Sequence, residues 1–245
     1  MRMGILAVAV LAALGGGASP SSPSPMASPD PSAILDRAIK AAGGEERLRH
    51  AAVLKWRGRA VIHAGEQPVR LEGRWIVEPP DRAVVATWET AKGESSTRRL
   101  ILLGSEGWME RGGTRTPMPA AILANERDQF YLYSLMRLLP LRDAGSRPTA
   151  TGPRSLRVER EGRPTVEMIF DLSGRLDRMK ARIANPGSGD PIAEEITLEG
   201  AVTGGGIAWP LRFFVTQDGA PFFDLELTEF GVGTSEELTR EAGRK

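Results

Sequence analysis

Strand-length segments with an apolar residue at every second position follow one another through most of this sequence. In the clearest of them Leu71, Trp75 and Val77 alternate with Arg70 and Arg74, so one side of the strand is apolar and the other is wet. Turn-forming Gly, Pro, Asp and Ser residues separate the segments. The segments predicted as strands are Leu54–Ile62, Val69–Glu78, Arg82–Thr90, Thr97–Leu103, Gly107–Arg111, Ser155–Glu161, Pro164–Asp171, Leu176–Ile183, Ile192–Val202, Ile207–Thr216 and Phe222–Phe230.

These strands follow one another without a helix between most of them, which argues against a parallel α/β sheet. Strands joined by hairpin turns instead predict a mainly β fold, built on an up-and-down antiparallel sheet that is strongly curved or partly closed. A chain of 245 residues can bury a real core, and one such domain is a normal size for its folded body.

One helix is predicted before the first strand. Asp30 and Pro31 are typical of a helix start, apolar residues then recur at helical spacing as far as Ala42, and Gly43–Gly44 ends the helix. A second short helical turn is predicted over Glu45–Arg49. The first helix has a narrow apolar stripe, so it must lie on another part of the fold to be stable.

A second helical region interrupts the strands in the middle of the chain. Residues Ala120–Leu139 have helical spacing, and Pro140 ends them. Tyrosine, phenylalanine and methionine residues are concentrated here, so the insert is aromatic and adaptable. The residues after Gly233 form a polar tail, interpreted as a frayed helix at most.

The first thirty residues are predicted not to belong to the folded body. Residues 1–18 combine a basic start at Arg2, an apolar run over Gly4–Leu14 and a small-residue exit, which is the plan of a secretory signal peptide. The apolar run is shorter than the roughly 20 residues that a membrane-spanning helix needs. Residues 19–30 are rich in Ser and Pro and are interpreted as a tether. We therefore predict an exported, periplasmic protein with one domain over residues 31–232 and a polar tail over 233–245.

Composition excludes several classes of protein. The absence of cysteine rules out a disulfide scaffold, a cysteine nucleophile and an acylated N-terminal cysteine. The 32 basic and 31 acidic residues nearly cancel and are scattered, so the sequence carries no electrostatic footprint for nucleic acid. His50 and His63 are the two histidines, and Asp171, Asp177 and Asp190 lie at or near turns, where aspartate is common, so neither a metal nor a cofactor is predicted.

The candidates for catalysis are few. The segment around Ser105 resembles a G-x-S-x-G nucleophile elbow, but its first residue is Leu103, and a hairpin turn is the better interpretation. Gly204–Gly206 lacks the Lys-Ser/Thr of a phosphate loop and is interpreted as a turn. His63 is either a general base oriented by Glu66 or a polar residue at a strand end.

All five tryptophans lie on or beside predicted strands. Strand aromatics usually fill a core, and the alternative is that they line a cavity between a curved sheet and a movable helical cover. In that second case the candidate ligand-binding residues are Trp56, Leu71, Trp75, Val77, Trp88, Trp108, Phe130, Met136, Met168, Phe170, Trp209 and Phe213.

Three segments occur in a suggestive order: a first helix that ends in Gly-Gly (ILDRAIKAAGGEERLR), a hairpin FDLSGRLDRM, and a closing strand pair GIAWPLRFFVTQDGAPFFDLELTEF. This layout resembles the periplasmic lipoprotein-carrier superfamily, the LolA/LolB-like half-barrels, over residues 31–232. The resemblance implies an open, strongly curved antiparallel half-barrel of about eleven strands, whose concave face is covered by the N-terminal helix and the helical insert. It also implies an apolar groove for lipids, acyl chains or lipoproteins. Without an N-terminal cysteine the membrane-anchored receptor type is not indicated, and no functional residue of the family is matched to a position here.

Three functions remain open at this point. The first is a carrier or sensor that binds a lipid, an acyl chain or a lipoprotein without catalysis. The second is an interaction module with a filled interior, which docks on an envelope complex through an open sheet edge or through its tethered start. The third is an enzyme that uses His63 and Glu66. The sequence favours them in that order.

Overall fold

The computed structural model describes residues 29–63, 65 and 67–244. The predicted signal peptide, most of the predicted tether and Glu66 lie outside the described residues. The α-helices in the described part are α1 (Pro31–Ala41), α2 (Glu45–His50), α3 (Ala120–Met136) and α4 (Ser235–Gly243).

Strands account for most of the remaining chain. They are β1 (Val53–Ile62), β2 (Val69–Glu78), β3 (Arg82–Glu89), β4 (Arg98–Leu103), β5 (Glu106–Arg111), β6 (Thr114–Pro117), β7 (Ser146–Gly152), β8 (Ser155–Arg160), β9 (Val166–Phe170), β10 (Leu176–Ala184), β11 (Pro191–Glu199), β12 (Val202–Gly204), β13 (Ile207–Trp209), β14 (Arg212–Gln217) and β15 (Ala220–Gly233). The mainly β fold expected from the sequence is confirmed.

Thirteen of these strands form one antiparallel sheet in the order β6-β5-β4-β3-β2-β1-β15-β14-β11-β10-β9-β8-β7. The edge strands β6 and β7 are not paired with each other, so the sheet is open rather than a closed barrel. Strand β1 pairs with β2 on one side and with β15 on the other, which brings the first and last strands together near its centre. The remaining two strands, β12 and β13, form a separate hairpin.

The sheet is strongly curved. Asp81 lies in the turn between β2 and β3, and Arg163 lies in the turn between β8 and β9. Five strands separate β2 from β9 in the sheet, yet the Arg163 Nη2 and Asp81 Oδ1 atoms are 2.8 Å apart. The same guanidinium group stacks over the ring of Tyr131 on α3, 5.4 Å from its centre. The two halves of the sheet therefore wrap around α3 and meet at one end.

The expectation of about eleven strands was too low. Strands β6 and β7 formed in segments that were not predicted as strands, and two predicted strands are each divided. Gly200 adopts a φ of 65° and separates β11 from β12, since a left-handed residue interrupts the pleat. Pro210 separates β13 from β14, because proline has no N–H to donate to a ladder.

The first helix forms for the reasons that the sequence indicated. The Asp30 carboxylate accepts a hydrogen bond of 2.9 Å from the backbone N–H of Ser32, and Pro31 occupies the first helical position. The helix ends before Gly43, whose φ is 120°. A Cβ atom on Gly43 would lie only 2.6 Å from the carbonyl oxygen of Gly206, so a glycine here lets the β12–β13 hairpin pack against the end of α1.

Helices α1, α2 and α3 cover one face of the sheet, which we call the inner face. The main hydrophobic core lies between them, and it joins residues such as Leu35 of α1, Leu48 of α2 and Leu135 of α3 to strand residues such as Leu54 and Met168. The opposite face, which we call the outer face, carries α4. The predicted arrangement of an N-terminal helix and a helical insert over one face is thus found.

The polar C-terminal tail forms an ordered helix on the outer face rather than a frayed end. Leu238 and Ala242 of α4 form a second hydrophobic cluster with Val53, Ile76 and Ile101, which belong to three strands of the sheet. A capping box at Thr234 and Glu237 satisfies the first N–H groups of the helix. The sequence did not predict an ordered helix here, because only two residues of α4 are apolar and buried.

Arginines from the sheet hold the other end of α4. Arg99 of β4 donates hydrogen bonds to the carbonyl oxygens of Glu241 and Arg244, and Arg115 of β6 donates one of 2.9 Å to that of Ala242. Carbonyl groups in the last turn of a helix lack the full set of intrahelical partners, and a cation beside them also favours the helix dipole. The last element of the chain is therefore attached to the first half of the sheet.

We expect Leu238→Ala to lower the free energy of unfolding by about 2–5 kcal/mol, because it opens a cavity in a fully buried cluster. Leu172→Ala is the matched control, since Leu172 is 84% exposed at a hairpin turn, and its effect should stay within about 0.5 kcal/mol. Urea unfolding followed by circular dichroism measures both. Equal effects of the two substitutions would contradict the docking of α4.

Candidate functional site

Ten of the twelve predicted ligand-binding residues meet on the inner face. They belong to the main core and come from strands in both halves of the sheet, from α3 and from the β12–β13 hairpin. The ten are Trp56, Leu71, Trp75, Val77, Phe130, Met136, Met168, Phe170, Trp209 and Phe213. Whether they contact a ligand stays a prediction.

An aromatic cluster joins α3 to the centre of the inner face. Trp56 of β1 stacks on Trp75 of β2 with ring centres 6.1 Å apart, and Tyr133 of α3 meets Trp56 edge-on at 5.8 Å. Tyr133 also contacts Phe213 of β14 at 6.2 Å and Phe130 of its own helix at 5.9 Å. Pairs of this geometry contribute about 0.5–1.5 kcal/mol each beyond the area they bury. Tyr133, which was not among the predicted site residues, is thus the centre of the contact between cover and sheet.

Trp88 and Trp108 are not brought into this site. Trp88 shares its side of β3 with Val84, and the guanidinium group of Arg74 lies 5.9 Å from the centre of its ring on the outer face. Trp108 packs beside the outer cluster around Leu238. Alternation along a strand predicts which residues share a side. Both sides of these strands are covered by a helix, so an aromatic residue can be buried on either side and does not identify the inner face.

Few polar contacts tie α3 to the sheet. The side-chain amide of Gln129 donates to both carboxylate oxygens of Glu194 on β11, each at 2.8 Å, and Gln217 of β14 donates a third hydrogen bond of 3.0 Å. At the end of β10, Asn125 donates to the carbonyl oxygen of Ala184, and Asp128 accepts from its N–H. The attachment of α3 to the sheet is therefore mostly apolar, with its polar contacts near the middle of the helix.

Three carboxyl groups lie at the contact between α3 and the sheet: Glu126 and Asp128 belong to α3, and Glu194 belongs to β11. Burial raises the pKa of Glu126 to about 7, and the nearby charge of Glu194 adds to the effect. Burial also raises the pKa of Glu194, although its hydrogen bonds from Gln217 and Gln129 oppose that rise. The pKa of Asp128 is raised by burial as well. A negative charge on Glu126 is therefore unfavourable in the closed arrangement of the cover.

Sequence reasoning missed this polar cluster, although a signal for it existed. Glu194, Ile196 and Leu198 fall on the same side of one predicted strand, so the alternation placed a carboxylate among apolar neighbours. Glu126 and Phe130 are four residues apart on the helical insert and share a face in the same way.

The inner face is packed rather than hollow. Its largest side chains, including Tyr131, Phe170 and Phe213, are almost fully buried. A cavity beside Met136 and Trp209 measures about 40 Å³, well below the roughly 300–1,000 Å³ of small-molecule sites. Larger cavities of about 300 and 430 Å³ lie on the outer face. A ligand of acyl-chain size would enter the inner face only if α3 moved.

The remaining candidates have structural partners. His63 lies at the end of β1, and its Nε2 atom is 2.8 Å from the Asp224 carboxylate of β15. Glu66, its predicted partner, lies outside the described residues. Asp171 accepts hydrogen bonds within its own turn from Ser173 and Arg175. Among residues 29–63, 65 and 67–244 no group of three or more His, Asp or Glu side chains is placed to hold a metal ion.

None of the helices in the described residues combines the length and the apolar character that crossing a membrane requires. The sequence matches no protein-family model and no curated protein.

Solved structures, in contrast, share the fold. A LolA superfamily protein of Nitrosomonas europaea superposes with a TM-score of 0.53 at 10% identity, covering 83% of this chain and 93% of that one. A putative outer membrane lipoprotein-sorting protein domain of Vibrio parahaemolyticus gives 0.52 at 8% identity, over 86% of this chain and 98% of that one. A DUF1329 family protein of Desulfovibrio piger gives 0.55 at 9% identity, over 84% and 95%. The chain therefore has a LolA-like fold, as the order of its elements indicated.

The raised pKa of Glu126 predicts how stability depends on pH. Between its ordinary value of 4.5 and about 7, the folded chain holds a proton at Glu126 that the unfolded chain has released. The free energy of unfolding should therefore fall as the pH rises through this range, by at most about 3 kcal/mol for this group. Glu126→Gln should flatten the dependence and make the protein more stable than the parent at pH 8. Chemical unfolding at pH 5, 6, 7 and 8 measures the effect.

Glu106→Gln is the control, because Glu106 is exposed in a turn-proximal position of β5. It should leave the pH dependence as it is in the parent. The same curve for both variants would contradict the raised pKa of Glu126.

Proposed function

We propose that this chain, which has the LolA-like fold, is an exported, periplasmic carrier that binds a lipid or the acyl chains of a lipoprotein between the inner face of its sheet and α3. Binding would need no catalytic group and no cofactor. The proposal places the ligand against the ten inner-face residues, with α3 as the cover that admits it.

The observation that carries the proposal is the way α3 lies on the sheet. It covers an apolar and aromatic surface, and its polar ties are confined to Asn125, Asp128 and Gln129. An acyl chain that replaces the side chains of α3 against this surface would exchange one set of apolar contacts for another. Each buried methylene contributes about 0.8 kcal/mol, so ten of them contribute about 8 kcal/mol before the cost of moving the cover.

The geometry at the end of α3 fits a cover that moves. Leu138 follows the helix with a φ of 65°, a backbone conformation that branched side chains rarely adopt, and a short 3₁₀ turn follows over Leu139–Arg142. Such strain is retained where the surrounding structure fixes it, and it is often found at switch regions. We infer that Leu138 is the point about which α3 swings.

A second function is favoured by the packed inner face. A half-barrel filled by its own helices would serve as an interaction module of the cell envelope, with β6 and β7 offering open edges to a protein partner. The two functions differ in one respect that is measurable. Removing lipid from the preparation would remove the ligand of a carrier. It would leave the complex between an interaction module and its protein partner unchanged.

We expect the purified protein to carry lipid in native mass spectrometry, or to bind palmitate after delipidation with a change in tryptophan fluorescence. The change should arise because an acyl chain displaces Tyr133 from the ring of Trp56. Trp56→Phe should therefore remove most of the signal, whereas Trp88→Phe on the outer face should retain it.

A fluorescence change that is lost in Trp88→Phe but kept in Trp56→Phe would contradict the proposed carrier function. So would a protein that contains no lipid when purified and binds no acyl chain after delipidation. In that case the interaction module becomes the better assignment.

A further inference from the structure

A groove on the outer face lies between α4 and the strands β1 to β3. We call it the outer groove; its volume is about 300 Å³. Its floor contains Ile76, Val84 and Ala86, each less than a tenth exposed. Arg240 of α4 and Arg74 of β2 both line it. The groove is on the opposite side of the sheet from the proposed acyl-chain site, although Trp56 and Trp75, which belong to the inner core, also border it.

Positive charge exceeds negative charge around the outer groove. The charged side chains that line it are Lys55, Arg57, Arg74, Arg99 and Arg240, against Glu229, Glu237 and Glu241. Each of the three carboxylates already has a cationic partner: Lys55 at 3.1 Å from Glu237, Arg244 at 2.9 Å from Glu241, and Arg57 at 3.8 Å from Glu229. The excess is therefore not cancelled by the acidic residues of the groove.

Arg74 and Arg240 carry this excess. Arg99 is engaged by Glu110 and by the carbonyl groups at the end of α4. Arg74 lies over the ring of Trp88, and its closest carboxylate is that of the exposed Glu94, at 3.9 Å. Within the part of the chain that the structure describes, the exposed side chain of Arg240 makes neither a hydrogen bond nor a salt bridge, although its charge acts on Glu237 of the same helix. Two guanidinium groups that line the groove, one on β2 and one on α4, are thus available to an anion.

We propose that the outer groove binds a small organic anion, a carboxylate or phosphate ester with a short apolar or aromatic body. The body would lie on Ile76, Val84 and Ala86, and the charged end would pair with Arg74 and Arg240. Guanidinium groups suit this task, because their planar set of donors matches carboxylate and phosphate oxygens. A volume of about 300 Å³ is at the lower end of the range for small-molecule sites, which selects a compact ligand over a two-chain lipid.

Gly231 offers a way to close the outer groove without removing any side chain. It lies on β15 opposite Lys55 and lines the groove. A Cβ atom built on it would meet a single atom within 4 Å, the Lys55 Cε at 3.9 Å, and its φ is not in the left-handed region. A leucine here would therefore fit the strand and extend into the groove.

Titration calorimetry of the purified protein with phenyl phosphate and with phenylacetate tests the proposal. Phenol and inorganic phosphate are the paired controls, each of which keeps only one half of the ligand. We expect at least one of the two aromatic anions to bind with one-to-one stoichiometry, at least about tenfold more tightly than phenol or phosphate.

The site is then assigned by substitution. Gly231→Leu, Arg74→Ala and Arg240→Ala should each weaken binding at least about tenfold, while Arg147→Ala, an exposed arginine on the edge strand β7, should not change it. Circular dichroism melting confirms that each variant is folded, and palmitate binding of Gly231→Leu should match that of the parent. Failure of both aromatic anions to bind, equal binding of inorganic phosphate, or full binding by folded Gly231→Leu would each overturn the proposal.

Discussion

Three helices packed against one face of an open sheet hold this protein together. The sheet is open, so its apolar inner face would remain in water without a cover. The contact is concentrated at Tyr133, which touches Trp56 and Phe213 on strands that lie on different sides of β15. If the chain is the proposed carrier, the element that completes the core is also the element that the ligand displaces, and stability and binding then compete for one surface.

The carboxyl groups at the contact between α3 and the sheet lower the stability of that contact. An entirely apolar contact would be more stable, since burying a carboxyl group costs free energy even when it is hydrogen-bonded. Glu194 reduces that cost by accepting hydrogen bonds from Gln129 and Gln217, whereas at Glu126 the cost appears as a raised pKa. Both groups lie along α3 on the N-terminal side of the strained backbone of Leu138.

Much of this fold could be predicted from the sequence, and the exceptions have physical causes. Alternation and turn residues placed most strands correctly, because both signals are local. The breaks at Gly200 and Pro210 and the short edge strand β6 depend on where the chain meets its neighbours, which pattern alone does not reveal.

The site was predicted less well than the fold. Alternation grouped the residues on each side of a strand, but it did not say that α4 would cover the outer face, so Trp88 and Trp108 were assigned with the inner residues. Glu194 was overlooked because a lone carboxylate in a strand usually faces solvent.

The pairing of β1 with β15 has a consequence for how the chain is made. Val53 lies opposite Gly233, so the centre of the sheet joins residues separated by nearly the whole folded body. During synthesis the early strands emerge first, yet their neighbour and the helix that Arg99 holds appear last. Contacts of such long range form slowly. A sheet with this topology therefore stays incomplete until β15 is available to pair with β1.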